Sequence, residues 1–350
     1  MRLHTLQYLR AVAAMAVVYS HATIQVEGYT TYLTKAGSFG VDIFFVISGF
    51  IMVYIARPDD RPVRFFANRF RRVVPLYWFF TVLMAGILLV IPWAFKSTQF
   101  SWETLLLSLA FIPHWSTAQP DMVWPLVAPG WSLVFEMYFY SLFAVSLLFA
   151  QRLRIPFICV AITLVFLIAT HFHTGESALA QFFSKTMVFE FVLGMLLAIA
   201  WKRGFSIPSS TAACLLVFAS SLVLLELPGP RIVEYGIPSL LIVTACLYLK
   251  MGEYKWAVVL GDASYALYLS HIFTLGVLRK FATPLLGEGQ MAAYLFVIIS
   301  LIICTGVSIF VHYYIDNWLL RIERFKSLRR ANETESTNKD SEKVIQATAR

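Results

Sequence analysis

The chain has 350 residues and a mass of 39.7 kDa; 59% are hydrophobic, only 14% are charged, and the mean hydropathy is +0.71. A soluble domain carries about 25% charged residues, so the polar material needed to cover a water-facing surface is missing. That excludes intrinsic disorder, a collagen-like fibre and a soluble nucleic-acid binder, and it leaves a multi-pass membrane protein. The 16% aromatic content suits a chain with two membrane interfaces to anchor. The net charge of +8 gathers beside apolar stretches, with six Arg in 57–72 and five Lys or Arg in 321–330. Cytoplasmic loops look like this under the positive-inside rule. Cys159, Cys214, Cys246 and Cys304 lie singly in apolar surroundings, so neither a disulfide framework nor a metal site is expected.

A crossing needs about 20 mostly apolar residues. In chain order the expected spans are 5–25, 37–56, 75–95, 130–150, 155–172, 183–201, 210–227, 233–249, 257–279 and 291–318. The stretch 103–113 is too short to cross and runs into the Pro-rich HWSTAQPDMVWPLVAPG, so it reads as an interfacial or re-entrant element. Ten spans with both termini inside put 21 basic residues on the inner side and six on the outer. The fold expected is therefore an all-α polytopic bundle of about ten helices with cytoplasmic termini. Residues 1–320 form its membrane domain, and 321–350 form a basic juxtamembrane segment and disordered tail.

Ionisable residues within spans are expensive and mark function by default. Here they are Arg10, His21, Asp42, Glu136, Glu190, Asp262, His271 and His312. At 1.5 Å per residue, His21, Asp42, Glu136 and His271 fall in one outer layer, with Arg10 in the inner leaflet. Two His and two acids could bind a metal, relay protons or perform general acid–base catalysis. A metal is the weakest of these, because no HxxxH, HxxE or DxxH pair shares a helix face. For Glu190, Asp262 and His312 a satisfied bundle contact is the expected role.

Five stretches carry these groups: LRAVAAMAVVYSHA around Arg10 and His21, GVDIFFVISGFIM (40–52), RFFANRFRRVVPLYW (64–78), PGWSLVFEMYFY (129–140) and LGDASYALYLSH (260–271). In this order they resemble acyltransferase family 3, the integral membrane O-acyltransferases of bacterial polysaccharides, over roughly 1–320. The likeness is greatest to exopolysaccharide-production O-acetyltransferases of the succinoglycan type. The resemblance implies transfer of an acyl group, usually acetyl, from cytoplasmic acyl-CoA to a sugar hydroxyl of a polysaccharide or lipid-linked oligosaccharide at the bacterial inner membrane. It implies no resident cofactor, acetyl-CoA being the donor substrate. The family's basic–ten–His motif falls on Arg10 and His21, with His21 regarded as catalytic. Its WSLxxE motif falls on Trp131, Ser132, Leu133 and Glu136, and its later motif on Ser264, Tyr265 and His271. Ile272 stands where many members have Pro. Some members carry a soluble C-terminal hydrolase-like domain; none is expected here, so transfer would finish in the membrane domain or in a partner.

The residues agree with that chemistry. Guanidinium forks suit phosphates, so Arg10, Arg69, Arg71 and Arg72 are the expected acyl-CoA contacts at the inner face. A neutral alcohol attacks a thioester poorly, and a His can take its proton. Glu136 or Asp42 is expected to orient His21. His271, Trp131, Ser132 and Tyr265 are assigned to acceptor binding or proton relay. Membrane lipids and polysaccharide assembly proteins are the further expected partners. The rival classes are a proton-coupled transporter and a non-catalytic membrane subunit of such an assembly; no repeated halves favour the transporter.

Overall fold

The computed structural model describes residues 4–26, 36–94, 98–225 and 228–321. Arg2, Lys35, Lys96 and the tail 322–350, on which part of the charge count and the disordered-tail expectation rest, lie outside the described residues. Among the described residues the chain is all-helical, with one isolated bridge between Trp115 and Val123. The helices are α1 His4–Ile24, α2 Gly40–Ile55, α3 Pro62–Val90, α4 Trp102–Leu109, α5 Gly130–Ser146, α6 Gln151–His171 and α7 Ala178–Phe183. There follow α8 Phe189–Lys202, α9 Ser209–Leu224, α10 Ile237–Tyr248, α11 Lys255–Asp262, α12 Ser264–Phe281, α13 Thr283–Leu286 and α14 Gln290–Phe310. Helix is what a lipid-embedded backbone requires, because no water is present to satisfy its amides.

Each of the ten expected spans overlaps helix among the described residues. Four stretches are long and apolar enough to cross a membrane: Gly37–Ile55, Pro62–Val90, Gln151–His171 and Gln290–Arg321. The bent pair α11 and α12, which meet at 63°, makes a fifth if counted as one span. The faces turned away from the bundle are apolar. Val160, Leu164, Leu167 and Ile168 on α6, and Ile298, Ile302 and Ile303 on α14, are all exposed. In water such a belt would be an aggregation hazard; against acyl chains it costs nothing.

Cross-links sort the helix termini into two ends. At one, Arg154 donates to the carbonyls of Arg57 (3.1 Å) and Pro58 (2.9 Å), Lys202 Nζ donates to Val53 O at 2.6 Å, and the Tyr8 hydroxyl donates to Gly252 O at 2.9 Å. At the other, Arg231 reaches Ser38 and Asp42, and Arg279 donates to Gln25 Oε1 at 3.1 Å. The first, basic end gathers the connections expected inside. The run 61–72 departs from expectation. It is not a loop but the opening turns of α3, which begins at Pro62 with Arg61 as N-cap. Proline is pre-organised for the first helical position, and nothing in RFFANRFRR breaks a helix.

The core is aromatic and closely joined. Phe191 stacks on Phe45 and Phe139, both at 4.5 Å between centroids, tying α8 to α2 and α5. Glycine sets the α2–α8 approach: a Cβ on Gly49 would lie 2.1 Å from Phe191 O, and one on Gly194 2.1 Å from Val46 O.

The segment 98–129 decides where the site residues sit. Short α4 ends beside the middle of α3, where Tyr77 donates to Ser108 O (3.1 Å) and Trp78 Nε1 to Leu109 O (2.9 Å). The chain then turns back, with Leu126 N donating to Ser108 Oγ at 2.9 Å. It starts α5 at Gly130, where a Cβ would lie 2.5 Å from the Tyr77 ring. Helix α5 thus begins part-way down the bundle.

Candidate active site

Helices α1 and α12 bring two imidazoles together. His21 Nδ1 and His271 Nε2 are 2.7 Å apart. The rings are nearly parallel (4°) with centroids 4.9 Å apart, so they meet edge to edge within one plane. His271 is fully buried, and its Nδ1 lies 3.2 Å from Leu267 O. A carbonyl only accepts, so His271 Nδ1 carries a hydrogen and Nε2 a lone pair. His21 Nδ1 must then donate to His271, and the His21 lone pair is left on Nε2. The hydrogen-bond chain Leu267–His271–His21 thus selects the tautomer that frees one nitrogen of His21 as a base.

The carboxylates expected to orient His21 are both engaged elsewhere. Asp42, fully buried near the start of α2, takes a forked bond from Arg231, Nε to Oδ1 at 3.0 Å and Nη2 to Oδ2 at 2.7 Å. Glu136 accepts from Ser48 Oγ (2.8 Å) and from the Tyr140 hydroxyl (2.5 Å). Neither acid is hydrogen-bonded to His21. The expectation rested on depth alone. Similar depth does not fix the side of the bundle, and the mid-depth start of α5 carries Glu136 further in than its sequence position implies.

Glu136 instead lines a cavity of about 550 Å³ shared with Arg10, Arg69 and Arg72. Along α2 the cavity runs from Ile55 at the basic end to Val41, about 21 Å at 1.5 Å per residue. Arg69 and Arg72, three apart on α3, face it together. Arg71 is not among the lining residues, since two residues along a helix turn a side chain away from its neighbour's face. Arg10 donates to Gln7 Oε1 at 3.2 Å, and Arg69 Nε is buried without a hydrogen-bond partner. Among the described residues no ion pair joins these three guanidiniums to Glu136 or Asp262, the acids of the same wall. Half-buried cations that no ion pair neutralises, one of them with an open donor on Arg69 Nε, are what a polyanion binds.

Of the remaining candidates, Ser132 and Tyr265 line the cavity. The Tyr265 hydroxyl donates to Val73 O at 2.6 Å, tying α12 to α3. Trp131 lies outside the lining, packed on Phe45 and Phe135 with Lys185 Nζ 5.9 Å above its ring. Asp262 lines the cavity, and His312 pairs within its own turn with Asp316 at 3.2 Å. Glu190 departs from the satisfied contact expected of it, for it is buried with neither oxygen hydrogen-bonded. Four contributors escaped the sequence reading: Tyr268, Tyr140, Ser48 as a carboxylate partner, and Arg231. Helical spacing held the signal for two of them. Tyr268 is three residues before His271, and Tyr140 is four after Glu136.

Known proteins are similar to this chain in sequence. The family described as Acyltransferase domain, acyltransferase 3, matches residues 3–313. The exopolysaccharide production protein ExoZ of Rhizobium meliloti is 35% identical over 274 residues, 75% of this chain and 84% of that protein. The acyltransferase MdmB of Streptomyces mycarofaciens is 25% identical over 341 residues, 83% of this chain and 86% of that one. The O-acetyltransferase OatA of Staphylococcus aureus is 23% identical over 333 residues, 83% of this chain but only 53% of its own length. No solved structure matches. The chain therefore belongs to acyltransferase family 3 and is an acyltransferase.

Proposed function

We propose that the protein is a ten-span O-acyltransferase of the bacterial inner membrane, both termini cytoplasmic, moving an acyl group, acetyl in our reading, from acyl-CoA to a sugar hydroxyl of an exopolysaccharide or other surface glycan. One observation carries this reading. A cavity running from the basic end, walled by three guanidiniums that no ion pair neutralises, reaches Tyr268 one turn from His271, whose bond to His21 leaves a base on His21 Nε2. The names of ExoZ and OatA support the glycan and the acetyl group.

In this mechanism the CoA phosphates stay with Arg10, Arg69 and Arg72, and the pantetheine arm follows α2 toward the opposite end. The sugar oxygen bonds to the thioester carbonyl carbon while His21 Nε2 takes its proton. The carbonyl pair moves onto oxygen and then returns as the C–S bond breaks. The thiolate takes the proton from His21, leaving ester and free CoA thiol. His271 orients His21 and shares the transient charge, the task first assigned to a carboxylate. A positioned general base contributes typically 10²–10⁴-fold.

The test is His21→Ala in cells. The expected outcome is loss of glycan O-acylation, by at least 10²-fold, with polymer amount and export unchanged. Loss of the polymer itself would favour a transporter or assembly subunit. Persistent acylation by folded His21→Ala protein would remove His21 from the chemistry.

A further inference from the structure

The far part of the cavity holds two hydroxyls that the mechanism above leaves idle. Ser132 Oγ and Tyr268 OH lie 2.8 Å apart. Both also reach the Pro129 carbonyl, Tyr268 at 2.9 Å and Ser132 at 3.2 Å. Three contacts are thus drawn for two hydroxyl hydrogens. One contact is always redundant: with Tyr268 on Pro129, Ser132 can donate to Tyr268 or to Pro129. The carbonyl also takes the Ser132 backbone N–H at 3.4 Å, so it keeps a donor whichever hydroxyl leaves.

Position matters as much as count. Both residues line the cavity that holds the guanidiniums. Tyr268 precedes His271 by one helical turn, with ring centroids 6.2 Å apart. The hydroxyl pair therefore shares the cavity with the guanidiniums and stands beside the histidine pair through Tyr268, on a helix start packed closely against Tyr77.

Resting on the proposed transfer reaction, we infer that Tyr268 is the oxyanion donor for the acyl thioester, with Ser132 donating to it from behind. As the sugar oxygen bonds to the carbonyl carbon, the carbonyl pair moves onto its oxygen. The Tyr268 O–H, backed by Ser132, turns from Pro129 to that oxygen. When the C–S bond breaks and the carbonyl re-forms, the hydroxyls close back on Pro129. A donor that turns to the carbonyl oxygen only as its charge develops acts on the transition state and little on the ground state.

The experiment uses the purified full chain with acetyl-CoA as donor and polysaccharide extracted from a deletion strain as acceptor. Tyr268→Phe should lower kcat by about 10²-fold, the scale of one oxyanion donor. Its affinity for coenzyme A and its melting temperature should stay near those of the unmodified protein. Ser132→Ala should lower kcat as well, and Ser132→Thr should restore it. A tie that only joins α5 to α12 would move the melting temperature and leave kcat alone, which would overturn the assignment. So would a kcat within threefold for Tyr268→Phe, or a fall in coenzyme A affinity matching the fall in rate. Should Tyr268→Phe not fold, the Ser132 pair decides. His21→Ala in the same assay separates the two claims: an inactive His21→Ala beside an active Tyr268→Phe ends the oxyanion role alone, whereas activity in both ends the transfer mechanism.

Discussion

Asp42 and Arg231 show how far a single residue's meaning depends on its partner. In the sequence, Asp42 is an acid at the depth of His21 and Arg231 one of six outer basic residues. In the fold they form a forked ion pair, Asp42 with no exposure, that fixes the start of α2 to the turn before α10. Removing one member of a buried pair strands the other and costs about 3–5 kcal/mol. Asp42→Ala should therefore unfold well below the unmodified protein. Asp42→Ala with Arg231→Met should lose less than the sum of the single changes, by a double-mutant cycle of unfolding in detergent. Strict additivity would mean the pair contributes nothing. The imidazoles differ in kind. Their residue types were legible as candidates, but which nitrogen of His21 keeps the lone pair follows from Leu267 O, a backbone atom that sequence does not locate.

Helices meet where glycine allows it. Gly49 and Gly194 face the partner backbone at distances no Cβ tolerates, whereas Gly86 on α3 and Gly306 on α14 have open space around them. Gly194→Ala should force α2 and α8 apart and lower the melting temperature in detergent, at a cost of about 1–3 kcal/mol or more because the obstacle is backbone. Gly86→Ala and Gly306→Ala should be neutral or stabilising by about 0.5–1 kcal/mol, since alanine suits a helix interior better. Equal behaviour of all three variants would show that the close α2–α8 approach is not a constraint. The segment 98–129 makes the same point in reverse. Its shortness and prolines announced a non-crossing element, yet its decisive effect, starting α5 beside Tyr77 and so lowering Glu136 into the arginine cavity, comes from contacts with α3.

For the whole molecule the proposal requires that the basic end face the cytoplasm. In a background lacking the four native cysteines, Glu176→Cys, between α6 and α7, should react with an impermeant maleimide on intact spheroplasts. Arg203→Cys, beyond α8, should react only after lysis. The reverse pattern would invert the orientation and place the arginine cavity on the wrong side for a cytoplasmic donor. Composition and periodicity by themselves determined the all-helical architecture, several apolar helices, the sorting of basic connections to one end and the family motifs, because all of these follow from local hydropathy and spacing along one chain. Tertiary structure alone decided which ionisable groups meet. His21 meets His271, Asp42 meets Arg231, and Glu136 meets Ser48 and Tyr140. A one-dimensional pattern gives depth along a helix but not the angle around the bundle, and side chains at equal depth pair only when that angle brings them face to face.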